Sequence, residues 1–551
     1  MTSMHRRRFL LQTGHAGLAA GAAFSGLLPS SGHAAPSPAP QRREIVRVLA
    51  EGSGNSLDPH GDGVAKESLG VFTNVYDRLV AFERKPLDSS TGRQLQAYRY
   101  DYARLKGELA ESFESTNGGR SLVFHLRRDA TFHDGRPVTA GDVKWSLDRA
   151  VTLPASKRQL ATGSLTDPAQ FVVVDAQTLR IDLPRADRYA LPNLALTFAS
   201  VLNATDVKAH ADAADPWGTN WLRNHAAGGG AYRVSAWQTG QQVTYERFDA
   251  WRSGPQPFVR RALVQAVPSA SNRLAALQRA DADVVLGLAP REFASLQGQP
   301  GVAALSVPVT NTFRFVAFNT KQAPFDSPKV RQAIAFALPY QALFDGVNHG
   351  KGTPLFGAQS GAAPSADYPQ RYPYATDVER ARALLKEAGH PNGFRTTLSY
   401  NATDTAIAEP AALLIQDALK AIGVEVTLDK ASGAQWGALE TEKRLAFFID
   451  SSSAWFNDPD YYYRIFFEGD WRWNFGSFDS PELVKLTDAA RWETDAGRYE
   501  RLMRDAAQIV TRDVPLVPLW QPSFDVATRD DLRGFTYYIH GQVDFRTLTR
   551  A

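Results

Sequence analysis

Thr131-Phe-His-Asp-Gly-Arg-Pro-Val-Thr-Ala-Gly-Asp-Val-Lys-Trp-Ser-Leu-Asp-Arg-Ala150 reads as a strand end, a tight turn and a capped helix. Asp134-Gly135 is turn chemistry, because Gly tolerates positive φ and Asp bonds its own backbone. Pro137 stops the chain from continuing as a paired strand. Thr139 is placed to cap a helix, with Asp142 three residues on completing a capping box. Val143, Leu147 and Ala150 then share one helical face. Loss of such a cap costs about 1 kcal/mol. His133 and Asp134 stand together as a catalytic pair would, but a turn flanking a core helix accounts for both.

Working outward, the 551 residues exceed what one hydrophobic core serves, so two or three domains are expected. Charged residues make up 22% and hydrophobic ones 44%, the balance of an ordinary globular chain. Lys and Arg number 61 against 58 Asp and Glu, and Arg6, Arg7 and Arg8 account for the whole excess. The rest is neutral, which argues against nucleic acid or an anionic membrane as main partner. Cysteine is absent. That excludes disulfides, cysteine-ligated metals, cysteine nucleophiles and a lipid-modified N-terminal cysteine. The body has no apolar run of membrane-spanning length.

Arg6-Arg7-Arg8-Phe9, the apolar Leu18–Leu28 run and the small Gly32 and Ala34 read as a bacterial export signal over residues 1–34. Arg6-Arg7 resembles a twin-arginine signal, with His5 where Ser or Thr is usual. Pro36, Pro38 and Pro40 mark a linker over 35–43.

Ile45–Leu49 reads as a strand entering the loop Glu51-Gly-Ser-Gly-Asn-Ser-Leu-Asp-Pro-His60. Val71, Val75 and Leu79 predict an amphipathic helix ending in Tyr76-Asp-Arg-Leu-Val80. Hairpin signals surround Asn117-Gly118-Gly119 and Asp175-Ala-Gln, so 81–195 is expected to be strand-rich. Gly228-Gly-Gly-Ala-Tyr232 reads as a turn, and from there strands and helices alternate, an α/β pattern. Pro324-Phe-Asp-Ser-Pro-Lys-Val-Arg-Gln-Ala333 predicts a helix capped by Ser327 with Pro328 at its first position. Thr376 with Glu379 predicts another capped helix, closed by Gly389.

Phe-His-Asp-Gly-x-Pro-Val-Thr-Ala-x-Asp-Val, the Leu57-Asp-Pro loop, Tyr76-Asp-x-Leu and Pro324-Phe-x-Ser-x-x-Val-Arg-x-Ala, in this order, closely resemble the family 5 extracellular solute-binding proteins. These are the peptide, opine and nickel receptors of bacterial ABC importers. The resemblance covers essentially the whole chain beyond the signal. It implies a type II periplasmic-binding-protein fold of the large subclass: two α/β lobes crossed by hinge strands, with an additional strand-rich subdomain. The implied division is 44–80, 196–307 and 524–551 for lobe I, 81–195 for the subdomain, and 308–523 for lobe II. Ala231, Ala280 and Pro339-Tyr340 depart from the family pattern, in positions expected to be neutral.

The candidate site centres on Ser451-Ser-Ser-Ala-Trp-Phe-Asn-Asp-Pro-Asp-Tyr-Tyr-Tyr-Arg464 and Trp471-Arg-Trp-Asn474, loop-like and rich in aromatics. A binding cleft needs rigid apolar surfaces and a few directed polar groups. The candidate ligand-binding set is Trp455, Asn457, Asp458, Trp473, Asn474, Asn55 and Asn319. The resembling family often holds a peptide's ammonium with an Asp near Trp455. With Trp there instead, a free amine loses its charge partner, and a π-face could receive a quaternary or guanidinium cation. Asp458 and Asp460, flanking a proline, read as backbone-capping groups rather than catalytic carboxylates.

No Gly-x-Ser-x-Gly elbow or His-Glu-x-x-His helix occurs. His60, His125, His133, His210, His225, His349, His390 and His540 are scattered without metal-ligand spacing. By its resemblance to the family, the chain is expected to be a periplasmic binder of an oligopeptide or peptide-like solute. It would deliver that solute to an ABC permease and ATPase, as a monomer, without cofactor, metal, nucleic-acid partner or enzymatic activity. A secreted hydrolase, a nickel-chelate, opine or other small-solute binder of the same fold, and a sensory or chaperone-like binder are the alternatives.

Overall fold

A computed structural model describes residues 42–357 and 374–551, Arg472 excepted. The expected export signal and nearly all of the linker lie outside the described residues. Within them, no helix is long and apolar enough to cross a membrane.

Two large sheets carry the architecture. The first has seven strands, in the order Val302–Pro308, Ser523–Arg529, Val284–Leu286, Ile45–Ala50, Arg261–Ala266, Gln242–Arg247 and Tyr232–Gln238. Ile45–Ala50 pairs in parallel with neighbours on both sides and is mostly buried, as befits a central strand of an α/β layer. The second has six strands, in the order Thr353–Pro354, Leu516–Gln521, Thr312–Phe318, Phe447–Ser453, Arg395–Asn401 and Glu425–Ala431. The chain passes from the first sheet to the second after Pro308 and returns at Pro522. These crossings are tied together: the Val309 N–H donates to the Pro522 carbonyl at 3.3 Å, and the Gln521 amide to the Thr310 carbonyl at 3.0 Å.

A separate four-stranded antiparallel sheet runs Ala110–Thr116, Ser121–Leu126, Thr178–Asp182 and Phe171–Asp175. Val80–Pro86 and Tyr98–Gly107 form their own sheet, whose third strand is Thr536–Tyr537 near the C-terminus. One apolar cluster joins Leu122, Phe171 and Leu179 of the four-stranded region to Phe315 and Phe448 of the second large sheet. The strand-rich region and the second lobe are thus packed together.

Local chemistry explains most element boundaries. Thr139 and Asp142 form the reciprocal capping box of helix Ala140–Thr152, whose Val143, Leu147 and Ala150 are buried. His133 is structural: its Nε2 lies 3.0 Å from the Gly230 carbonyl, its ring packs on Phe248, and burial holds its pKa down to about 4. Asp134 accepts from the Asn203 amide.

Three boundaries differ from the sequence reading. The helix at Val71 is Ser68–Val75 and does not reach Val80. Tyr76 turns extended, the Asp77 carboxylate accepts from Trp251, and Arg78 pairs with Glu108, so buried polar anchors hold this segment out of the helix. The helix expected from Thr376 is Val378–Glu387, capped by Asp377, while the Thr376 hydroxyl donates to the Leu338 carbonyl. Ser327 occupies the N-cap of Pro328–Ala337 but makes no capping bond with its side chain.

Candidate functional site

Where the strand-rich region meets the second lobe, polar groups are matched in pairs. Arg491 pairs with Asp187, the Tyr189 hydroxyl donates to Asp458 at 2.6 Å, and the Tyr461 hydroxyl donates to Gln159 at 3.0 Å. Asp458 also accepts from Tyr499 and from the backbone N–H of Asp460, as the N-cap of helix Pro459–Phe467. Much of the aromatic run expected to be a loop is this helix, with Tyr461, Tyr462 and Phe466 on its buried face. Desolvation, then the Asp458 charge, pushes the Tyr189 hydroxyl well above its usual range. Asp458 and the exposed Asn457 line an opening beside this seam, together with Arg188 and Tyr102.

The larger opening, about 2030 Å³, lies between the two large sheets. Glu51, Lys66 and Glu67 enter it from the first lobe, Arg314, Lys351 and Asp404 from the second, and Asp525 and His540 from the returning chain. Several of these charges are matched. Arg314 pairs with Asp404. The Lys351 ammonium reaches across to Asp525 at 2.7 Å and lies 4.1 Å from the centroid of the Phe293 ring. Arg273 is held by the carbonyls of Val267, Pro268 and Gly287.

Lys66 is different. Among the described residues its ammonium has no hydrogen-bond or ion-pair partner. Lys66 is exposed, though crowding by the cleft lowers its pKa from the usual lysine value by desolvation, with Glu67 acting in the opposite direction. Glu51 and Glu67 likewise make no side-chain hydrogen bond or ion pair among the described residues. His540 sits beside this group: desolvation first, then the Lys66 charge, holds it down to about 3, so the ring is neutral. Its Nε2 is buried without a partner. An ammonium, a neutral imidazole with an open nitrogen and two unmatched carboxylates can receive a solute that carries charge of its own.

The residues expected from sequence distribute unevenly. Trp455 is half-buried, with its ring centroid 3.7 Å from that of His540 and 4.6 Å from that of Phe198. Trp455 and Trp473 line a third opening. The three asparagines outside these walls serve the backbone. Asn55 accepts from Ala65 N–H and donates to the Gly63 carbonyl. Asn319 donates to the Lys443 carbonyl and accepts from Lys321 N–H. Asn474 donates to the Gly469 and Phe478 carbonyls. Their amides are engaged in holding loops, which is why asparagine stands there. Among the described residues no group of three or more His, Asp or Glu is placed to hold a metal ion.

Lys66, Glu51, Glu67 and His540 were not among the expected set. One signal pointed to Lys66: a cation immediately before a helix start opposes the helix dipole, a local conflict that folding alone does not favour.

Two sheet-based lobes joined by paired crossings, with an open charged cleft between them, define a two-lobed solute binder. The model of the bacterial extracellular solute-binding proteins, family 5 Middle, matches residues 104–474, and the chain belongs to that family. "Heme-binding protein A" of Haemophilus influenzae is 28% identical over 473 residues, 81% of each chain. "Glutathione-binding protein GsiB" of Pectobacterium atrosepticum is 28% identical over 503 residues, 89% of this chain and 91% of the relative. Among solved structures, the periplasmic binding protein DppA from Helicobacter pylori in complex with peptide STSA superposes with a TM-score of 0.74 at 21% identity, over 92% of this chain and 98% of its own. AgaA from A. tumefaciens R10 in complex with agropinic acid gives 0.73 at 25% identity, over 92% and 99%.

Proposed function

We propose that this protein captures a carboxylate-bearing, peptide-like solute in the cleft between its lobes and presents it, in the periplasm, to the permease of an ABC importer. The observation that carries the ligand class is the unmatched Lys66 ammonium between the cleft walls. Exposed in the cleft and without a hydrogen-bond or ion-pair partner among the described residues, this ammonium is free to meet a ligand anion. Glu51 and Glu67 supply acceptors for an ammonium at the other end of the solute, in place of the acid that Trp455 replaces. The relatives and solved structures are named for heme, glutathione, a peptide and agropinic acid, and each of these solutes carries carboxylate groups.

The lobes close by motion about the crossings at 309–311 and 522, and Lys351–Asp525 bridges the two lobes beside them. Such a protein binds and releases without making or breaking covalent bonds.

Native mass spectrometry of the mature protein, purified from its own periplasm, tests the reading. A discrete added mass of a peptide or peptide-like acid, lost on denaturation, is expected. A bound metal chelate, or no added mass after incubation with peptide libraries, would contradict it.

A further inference from the structure

The opening beside the matched seam, about 1500 Å³, shares no lining residue with the charged cleft. Its walls come from strand Tyr98–Gly107, from Pro308 and Thr310 at the crossing, and from residues 456–459 of the second lobe. Two cations in it are set against each other. Lys85 and Arg99 stand directly opposite across the antiparallel pair of Val80–Pro86 and Tyr98–Gly107, so both side chains project from one face of the sheet. Like charges in directly opposed positions destabilise a sheet.

Lys85 is answered by Asp101 at 3.4 Å. Arg99 is half-buried, and among the described residues no hydrogen bond or ion pair reaches its guanidinium. Its neighbours on the same hairpin are engaged: Arg84 lies 4.9 Å from the centroid of the Tyr98 ring, and Arg104 lies 3.3 Å from Glu83. The acids of the wall are answered as well. Asp101 has Lys85 and accepts from the Ala103 N–H at 3.3 Å. Asp458 accepts from the hydroxyls of Tyr189 and Tyr499 and from the Asp460 N–H, with Arg188 3.8 Å away.

What remains in this opening is therefore donor groups. Besides Arg99, the amide of the exposed Asn457 makes no hydrogen bond among the described residues. Tyr102 lines the same opening, and its hydroxyl is buried without a hydrogen-bond partner. Aromatic surface accompanies them: Phe456, stacked on Tyr189 with centroids 5.4 Å apart, and Tyr537. A concave site with apolar walls and a few converging donors is the usual form of a small-molecule site. A guanidinium grips a carboxylate or phosphate through two parallel bonds, and an ammonium beside it adds a second positive charge.

We propose that this opening is a second binding site, separate from the solute cleft, for a small organic dianion: a phosphate monoester or a dicarboxylate. Arg99 and Lys85 hold the anionic end, Asn457 and Tyr102 donate to it, and the apolar body lies against Phe456 and Tyr537. The site stands independently of what the cleft captures.

Isothermal titration calorimetry on the mature protein at low ionic strength tests it. The probes are phenyl phosphate and isophthalate, with benzoate as the monoanion on the same ring. One of the two dianions should bind about tenfold tighter than benzoate, and which of them does so separates phosphate from dicarboxylate chemistry. Arg99→Gln should weaken that dianion about tenfold and Lys85→Gln severalfold, while Lys66→Ala binds it as the parent does. Tripeptide titrations and thermal melts of Arg99→Gln should match the parent.

Failure of both dianions to bind more tightly than benzoate, affinity unchanged in Arg99→Gln, or affinity lost in Lys66→Ala would overturn the second site. Each of these results would leave the capture of a peptide-like acid in the cleft standing, because that reading is tested by tripeptides and not by these probes.

Discussion

The two places where the lobes meet treat charge in opposite ways. At the seam with the strand-rich region, Asp187 meets Arg491, Asp458 meets two tyrosine hydroxyls, and Gln159 meets Tyr461. In the cleft near the crossings, Lys66, Glu51 and Glu67 face open space, and His540 keeps a buried nitrogen without a partner. A matched polar group inside a protein is near neutral for stability, whereas exposed charges such as Lys66 and Glu51 keep their solvation until a ligand meets them. A fold that matches charges on one side and leaves them open on the other has set the open side apart for something that arrives later. The seam holds the regions together; the cleft is prepared for a solute.

The largest effect that would break this contrast is expected at a fully matched charge. Arg149, buried in helix Ala140–Thr152, makes a two-pronged contact with Asp58 at 2.7 and 2.6 Å and donates to the Trp217 carbonyl. Arg149→Ala leaves Asp58 buried and unpaired, so a loss of about 3–5 kcal/mol is expected in urea unfolding. Lys66→Ala is the converse. It should leave the urea midpoint within about 0.5 kcal/mol of the parent, yet weaken solute binding by about ten- to a hundredfold, the weight of a charge-assisted hydrogen bond. If Lys66→Ala unfolds the protein and Arg149→Ala does not, the contrast is reversed.

Closing contacts sharpen the comparison further. Lys351→Ala removes the reach to Asp525 and the contact with Phe293. Small-angle scattering of the solute-free protein should then show a larger mean radius, with affinity falling severalfold because closure is less favoured.

A smaller effect concerns pH. His540 is held down to about 3 in the fold but has an ordinary pKa near 6.5 when unfolded. Below 6.5 the unfolded chain takes up a proton that the fold refuses, so stability present above that pH is lost as pH falls toward 3. Urea midpoints at pH 7 and pH 4.5 should therefore separate more in the parent than in His540→Gln. Equal separations would show that the ring is not neutral in the fold.

Much of the fold was legible because it rests on local chemistry repeated along the chain. The Thr139 capping box, the Asp458 N-cap and the turn at Asp134-Gly135 are each written in adjacent residues and appear in the structure. The cleft was not legible for the opposite reason. Lys66 and His540 come from opposite ends of the chain, and neither has a neighbour pattern that marks it. Asn55, Asn319 and Asn474 looked like ligand donors because asparagine suits loops and ligands equally; only the carbonyls around them decide which. Trp455 was readable as an aromatic out of place, but its partners, Phe198 and His540, lie far away in sequence.

The central claim is that Lys66 answers a carboxylate of the solute. A two-by-two calorimetric cycle addresses it most directly: parent and Lys66→Ala, each titrated with a tripeptide and with its C-terminal amide. Amidation should weaken binding to the parent by about ten- to a hundredfold and hardly affect Lys66→Ala, giving a strong coupling between the two changes. Equal losses from amidation in both proteins would place the carboxylate elsewhere and contradict the account.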